Sequence, residues 1–220
     1  MTPRSPRLSY PAILAACVLT AFAGASAAQL GSRPVDEWIK LLEAPDRIAG
    51  LKIDEVIGAL DVKPGQVVAD LGAGSGVFTI PLARAVGSGG KVYAVEIDQD
   101  FLDLIARKAR DQQVSNIVTV LGKPRDPALP APDVDLAFLH DVMHHIEDRP
   151  GYLEQLARYI KPRGRIAVVE FNPDTSPHRD DPRMHVTKES LRAWMSAAGF
   201  ELAQQFDHFQ DKWFVVYSKK

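Results

Sequence analysis

Apolar positions fall into two periods along this chain. From residue 34 to residue 60 they recur at helical spacing: Trp38, Leu41 and Leu42 share one face, Pro45 breaks the pattern, and Ile48, Leu51, Val56, Ile57 and Leu60 resume it. Beyond Lys63, short apolar runs alternate with helix-length stretches. The runs are VVADL from Val67, KVYAVEI from Lys91, NIVTVL from Asn116, VDLAFLH from Val134 and RIAVVEF from Arg165. Helices are predicted up to Val86, over residues 99–110, and around Leu153, Leu156, Ala157 and Ile160. A last helix carries Leu191, Trp194, Met195 and Ala198 and is stopped by Gly199. Strands separated by helices predict a parallel sheet. Two final runs, 201–206 and 212–218, have no helix-length segment between them and are expected to pair antiparallel. The predicted architecture is α/β: a doubly wound, mostly parallel seven-stranded sheet with a C-terminal antiparallel strand pair. Residues 172–185, rich in Pro, Asp and His, read as a long loop beside the site.

The first 28 residues follow a different pattern. Arg4 and Arg7 precede an apolar run from Ala12 to Ala23, then small residues through Ala28. That order predicts a cleaved secretory signal peptide and a periplasmic or secreted mature chain, cytoplasmic only if the signal reading fails. The run is shorter than the roughly 20 residues a bilayer needs, so no stable membrane span is expected after processing. Leu14-Ala15-Ala16-Cys17 has the look of a lipoprotein box, but the apolar run continues past Cys17. Removing the signal leaves 24 basic residues against 28 acidic, which disfavours nucleic acid as a partner. Cys17 is the only cysteine, so the mature chain has no disulfide, thiol nucleophile or cysteine metal site. At 220 residues, 46% of them apolar, the remainder suffices for one domain with its own core.

The sharpest chemical signal is Asp70-Leu71-Gly72-Ala73-Gly74-Ser75-Gly76, set between an apolar strand and a helix. Glycines there allow a sharp turn and close approach of a ligand to backbone, and the helix start offers unpaired N–H groups. A dinucleotide fingerprint would need its third glycine at Val77, which weakens a nicotinamide-dependent oxidoreductase. No Lys-Ser or Lys-Thr pair follows, which excludes a nucleoside triphosphate loop. Glu96 ends the second strand, 24 residues after Gly72, where an acid can accept both hydroxyls of a ribose. Loop and acid together point to a nucleoside-type cofactor.

VVADLGAGSGVFT resembles motif I of the class I S-adenosylmethionine methyltransferases, and VYAVEID resembles their second motif. The likeness runs from about residue 34 to the C-terminus. It implies a Rossmann-like fold, S-adenosylmethionine as cofactor, and a division into signal peptide (1–28), helical preface (29–62) and methyltransferase domain (63–220). By position it places Asp70, Gly72, Gly74 and Gly76 around the methionine part of the cofactor, Glu96 on the ribose and Ile97 against adenine. Residues 121–130 resemble the adenine-side loop, which makes Asp126 a candidate acceptor for the adenine amino group. His140, ending the fourth strand, is a further cofactor candidate. Asp98 reads equally well as the N-cap of the helix from Gln99.

Methyl transfer is a direct displacement at a sulfonium carbon, so an enzyme must mainly align the acceptor and exclude water, with a base only where the acceptor loses a proton. The candidates are Asp141, His144 and His145, in a segment resembling that after the family's fourth strand; His178 and His185 could complete the site. No tight ligand spacing links these histidines, so no metal site is expected. The chain has His140-Asp141-Val142-Met143 where DNA amino-methylating enzymes have Asn or Asp before Pro-Pro-aromatic, and it lacks the cysteines of arsenic-methylating relatives. A small-molecule or lipid-like acceptor is left, in line with resemblance to quinone-biosynthesis methyltransferases. A non-catalytic binding protein on the same fold is the alternative from another class. Trp38, Leu41 and Leu42 are either a lid or plain packing.

Overall fold

A computed structural model describes residues 34–220; the signal-peptide expectation concerns residues outside that range. Seven strands form one sheet: β1 (Val67–Leu71), β2 (Lys91–Glu96), β3 (Ile117–Leu121), β4 (Val134–His140), β5 (Ile160–Phe171), β6 (Phe200–Phe206) and β7 (Lys212–Lys219). Their order is β3-β2-β1-β4-β5-β7-β6. The first five are parallel, and β7 inserts antiparallel between β5 and β6. This is the expected sheet, including the antiparallel C-terminal pair.

Apolar side chains on alternate residues of the central strands serve two separate cores, which is why these strands read as unbroken apolar runs. On one face Val68, Leu136, Phe138 and Ala167 pack with Leu60 of α3 (Ile53–Leu60) and Leu82 of α4 (Thr79–Val86). On the other, Ala69, Leu71, Leu139 and Val168 pack with Leu153 of α6 (Arg149–Ala157) and with Leu191 and Met195 of α7 (Lys188–Ala197). Between β2 and β3 runs α5 (Gln99–Asp111), whose Ile105 meets Ala94. Asp98 caps it by accepting from Asp100 N at 2.9 Å, as its position before the helix predicts. Gly199, at φ 88°, ends α7.

One boundary differs from expectation. The helix predicted to reach Ile160 ends at Ala157, and Ile160 instead opens β5, paired with Val134 and buried in the core. Its apolar side chain serves a strand face and a helix face equally well, so periodicity alone places it wrongly.

The preface comprises α1 (Val35–Leu42), α2 (Pro45–Gly50) and α3. Val56 and Leu60 of α3 are fully buried in the sheet's core, whereas α1 and α2 bury no residue. Strand order reverses at β1 and β4, and a crevice forms outside the carboxyl ends of strands at such a switch point. Among the described residues no helix is long and apolar enough to cross a membrane.

Candidate functional site

The turn after β1 is drawn against β2 by two bonds to one carbonyl: Gly72 N and Ala73 N donate to Val95 O at 2.9 and 3.0 Å. Gly72, Gly74 and Gly76 all take positive φ, at 68°, 52° and 81°. A Cβ at Gly72 would overlap the Val142 side chain, and one at Gly76 would lie 3.0 Å from Ile105. Gly74 differs: its Cβ would meet only Leu42 Cδ1, at 3.7 Å, and it lines an open cavity.

Glu96 holds this turn from the end of β2. Its Oε1 accepts from Gly74 N at 2.8 Å and its Oε2 from Ile97 N at 2.9 Å. Burial pushes the Glu96 carboxyl above its ordinary range against the pull of those two N–H donors. Asp70 is 3% exposed and accepts from Thr79 Oγ1 at 2.6 Å. Burial drives Asp70 up to about 7; the Thr79 hydroxyl opposes the shift and the Glu96 charge adds to it.

A single cavity of about 540 Å³ continues from this turn across the carboxyl ends of β1, β2 and β4. Asp70, Glu96 and Ile97 line one end; His140, Asp141, His145 and His178 line the other. Trp38 and Leu42 of α1 cover it, with Arg47 of α2 beside them. Arg47 donates to Leu42 O at 2.7 Å, tying the two short helices together. Ile97, 44% exposed, is a large apolar side chain on the rim. Gly122 to Arg125 also face the cavity, but Asp126 does not. Asp126 Oδ1 accepts instead from Ala128 N at 2.8 Å and from the Tyr159 hydroxyl at 3.0 Å, which ties its loop to the turn before β5.

Asp141 sits just past β4 with φ 55°, a left-handed conformation costly for a residue with a Cβ. Lys212 Nζ of β7 donates to its Oδ2 at 2.6 Å, and His140 Nδ1 lies 3.3 Å from the same atom. Burial alone would raise this carboxyl, but His140 and Lys212 hold it well below the usual carboxylate range. Lys212 is itself nearly buried and lies over the Phe171 ring, 4.2 Å from its centroid.

The two adjacent histidines part company. His145 faces the cavity, and burial, reinforced by the neighbouring His144 and His178, lowers it to about 4, so it is neutral at pH 7. His144 turns inward and does not line the cavity. Its Nδ1 lies 2.8 Å from Glu170 Oε1, and its backbone N donates to Glu170 Oε2 at 3.2 Å. Of the histidines expected near an acceptor, His145 and His178, the latter from the loop after β5, line the cavity and His144 does not. His185 does not line the cavity, and its Nε2 lies 3.0 Å from Arg179 O. Though tight ligand spacing is absent from the sequence, His144, His145 and His178 each bring one nitrogen within 4.8 Å of the others. Linear spacing cannot show this, because the approach is made by a loop returning from a different strand. Glu170, Lys212 and Arg47 carry no local motif; an acid closing the apolar run RIAVVEF is the one hint of Glu170.

Known proteins share this arrangement. Residues 62–214 match the family described as "Methyltransferase domain". The ubiquinone/menaquinone biosynthesis C-methyltransferase of Vibrio vulnificus is 28% identical over 170 residues, covering 63% of this chain and 65% of the relative; the chain thus spans less than two thirds of that protein. Among solved structures, a SAM dependent methyltransferase from Aquifex aeolicus superposes with a TM-score of 0.76 at 21% identity, over 86% of this chain and 100% of the other. The [4+2]-cyclase SpnF follows at a TM-score of 0.62 and 14% identity, over 76% and 80%. At those identities the structural likeness speaks for the fold alone. The family match covers well over half of the sequence, and the chain belongs to the methyltransferase domain family.

Proposed function

We propose that this chain transfers the methyl group of S-adenosylmethionine to a small-molecule or lipid-like acceptor held at the histidine end of the cavity. One observation carries the reading: a single cavity joins the glycine turn and Glu96 to the polar cluster after β4. The residues fit the cofactor. Ser75, His140 and Asp141 line that cavity, and each also carries a buried polar atom, Oγ, Nε2 and Oδ1 respectively, with no hydrogen-bond partner among the described residues. Unpaired buried polar atoms mark a place for a polar ligand. Gly74 leaves room where a side chain would intrude, and the Glu96 carboxylate keeps two lone-pair positions for the ribose hydroxyls. Ile97 offers an apolar face for adenine.

When bound, the cofactor supplies an electrophilic methyl group on a sulfonium sulphur. The chain's own residues provide the rest. Asp141, anionic at neutral pH, favours a cation in the cavity. His145, neutral at pH 7, faces the acceptor end of the cavity and offers it one imidazole lone pair. Trp38 and Leu42 give the cavity an apolar wall. A quinol-like ring suits these features and agrees with the name of the Vibrio relative. Cofactor binding without methyl transfer is the second reading, favoured by the likeness to a protein named a [4+2]-cyclase.

Calorimetric titration of residues 29–220 with S-adenosylmethionine, S-adenosylhomocysteine and NAD tests the cofactor. Saturable binding of the first two, and none of NAD, is expected; heat from NAD alone would overturn the reading. Transfer of labelled methyl to hydroquinones then separates enzyme from binding protein. Export is part of the proposal, supported by the pattern of residues 1–28. Fractionated cells should yield a periplasmic chain starting near Gln29, and a cytoplasmic chain starting at Met1 would refute it.

A further inference from the structure

The three histidines at the acceptor end form a built site. His144 is anchored by Glu170, a carboxylate 1% exposed that also accepts from Phe171 N at 2.8 Å. With Nδ1 directed at that carboxylate, Nε2 keeps its lone pair for another partner. The ring of His145 lies 4.1 Å from that of His144, centroid to centroid, and the ring of His178 lies 5.2 Å from His144 and 5.7 Å from His145.

The segments carrying them are fixed to each other. Arg149 donates to Met143 O, His144 O and Arg183 O at 2.9, 3.0 and 2.6 Å, clamping the turn after β4 to the loop after β5. Within that loop His178 N donates to the hydroxyl of buried Ser176 at 3.0 Å.

We propose that His144, His145 and His178 form a three-imidazole site for a divalent transition metal of the zinc class, with its remaining position open to the cavity. Three protein nitrogens and one open position are the ligand set of a catalytic rather than a structural zinc site. Glu170 is the outer carboxylate that fixes the tautomer and ring orientation of a metal-bound histidine. A tetrahedral ion with Zn–N bonds of about 2.0–2.1 Å needs its nitrogens about 3.3 Å apart. The three nitrogens, already within 4.8 Å of one another, reach that spacing by rotation of His145 and His178, which line the cavity, around the anchored His144. His145 and His178 line the cavity, so the ligand completing the set from that side would be an acceptor oxygen, a hydroxyl or carbonyl, whose acidity or polarisation the ion raises. Metal binding requires neither the cofactor nor turnover, so this site and the methyl-transfer reading fail separately.

The test uses residues 29–220 without a histidine tag, stripped with a chelator and titrated with Zn²⁺ by calorimetry and with Co²⁺ by visible absorption. The expected result is one equivalent bound, with the intense visible bands of four-coordinate cobalt. His178→Ala, on an exposed loop position, should weaken binding at least about 100-fold without shifting the melting temperature. Glu170→Gln, which keeps an acceptor for His144 Nδ1 but removes the charge and the acceptor for His144 N, should weaken it at least about tenfold. His185→Ala, outside the cluster, should bind as the parent does. Absence of stoichiometric binding, or binding indifferent to His178→Ala, would overturn the proposal.

Discussion

Gly72 and Gly74 share a left-handed backbone for different reasons, and substitution separates them. Alanine at Gly72 is driven into Val142 as well as into unfavourable φ, so Gly72→Ala should cost about 2–4 kcal/mol of stability in denaturant unfolding. Alanine at Gly74 has space and meets only the backbone cost of about 1–2 kcal/mol, but its methyl projects where the cofactor should touch. Gly74→Ala should therefore remain folded and lose at least about tenfold in S-adenosylmethionine affinity, roughly 1.4 kcal/mol. Unchanged affinity would remove Gly74 from the binding surface. Asp70 makes a second residue-scale test. Its folded value of about 7 stands above the ordinary 3.8, so the unfolded chain ionises first and stability is lost as pH rises from about 4 to about 7. Asp70→Asn keeps an acceptor for Thr79 without the charge. Its stability relative to the parent should climb across that window, level off above about pH 7 and reach a few kcal/mol, as melting curves at pH 5 and pH 8 would show. All these residues were legible in sequence because one short motif holds them. Lys212, Glu170 and Arg47 were not, since their roles arise only when separate strands and helices converge.

At the level of elements, sequence and structure agree best where burial is greatest. VVADL and VDLAFLH match β1 and β4 residue for residue, because a strand covered on both faces has no reason to interrupt its apolar run. Agreement weakens where an element serves two masters, as at Ile160, and where the same stripe suits packing or function, as in α1. The structure decides the latter case: Trp38 and Leu42 line the cavity, and Leu41 is 48% exposed, so α1 is a cover and not core. Glu43, its C-cap, pairs with Lys108 of α5, which also donates to Ser75 O in the glycine turn at 3.0 Å. An element with no buried residue opens easily, so backbone amides of residues 35–42 should exchange rapidly in the apo protein and slow at least about tenfold with S-adenosylhomocysteine. Glu43→Gln removes a partly exposed pair worth about 0.3–1 kcal/mol, and cofactor affinity should fall about two- to fivefold, less at high salt. Equal exchange with and without ligand would show that α1 does not close over the cavity.

For the whole molecule, the cavity links groups from β1, β2, β4, the loop after β5 and the N-terminal helices, so a ligand there bears on most of the fold at once. A cofactor that binds the folded chain alone adds stability by mass action, about 2.7 kcal/mol at one hundred times its dissociation constant. In a domain of this size each kcal/mol raises the melting temperature by about 2–4 °C, so saturating S-adenosylmethionine should raise it by roughly 5–10 °C. NAD carries a ribose that Glu96 is able to accept, but the glycine turn has Val77 where a pyrophosphate-binding turn needs its third glycine. No shift is expected with NAD at the same concentration. Gly74→Ala should cut that shift by at least about half and, without ligand, melt lower only by its backbone cost of about 1–2 kcal/mol, roughly 2–8 °C. A shift with NAD that survives Gly74→Ala would place the nucleotide elsewhere and separate the cavity from cofactor recognition. A shift with S-adenosylmethionine alone, reduced in Gly74→Ala, ties recognition to the turn that Glu96 holds in place.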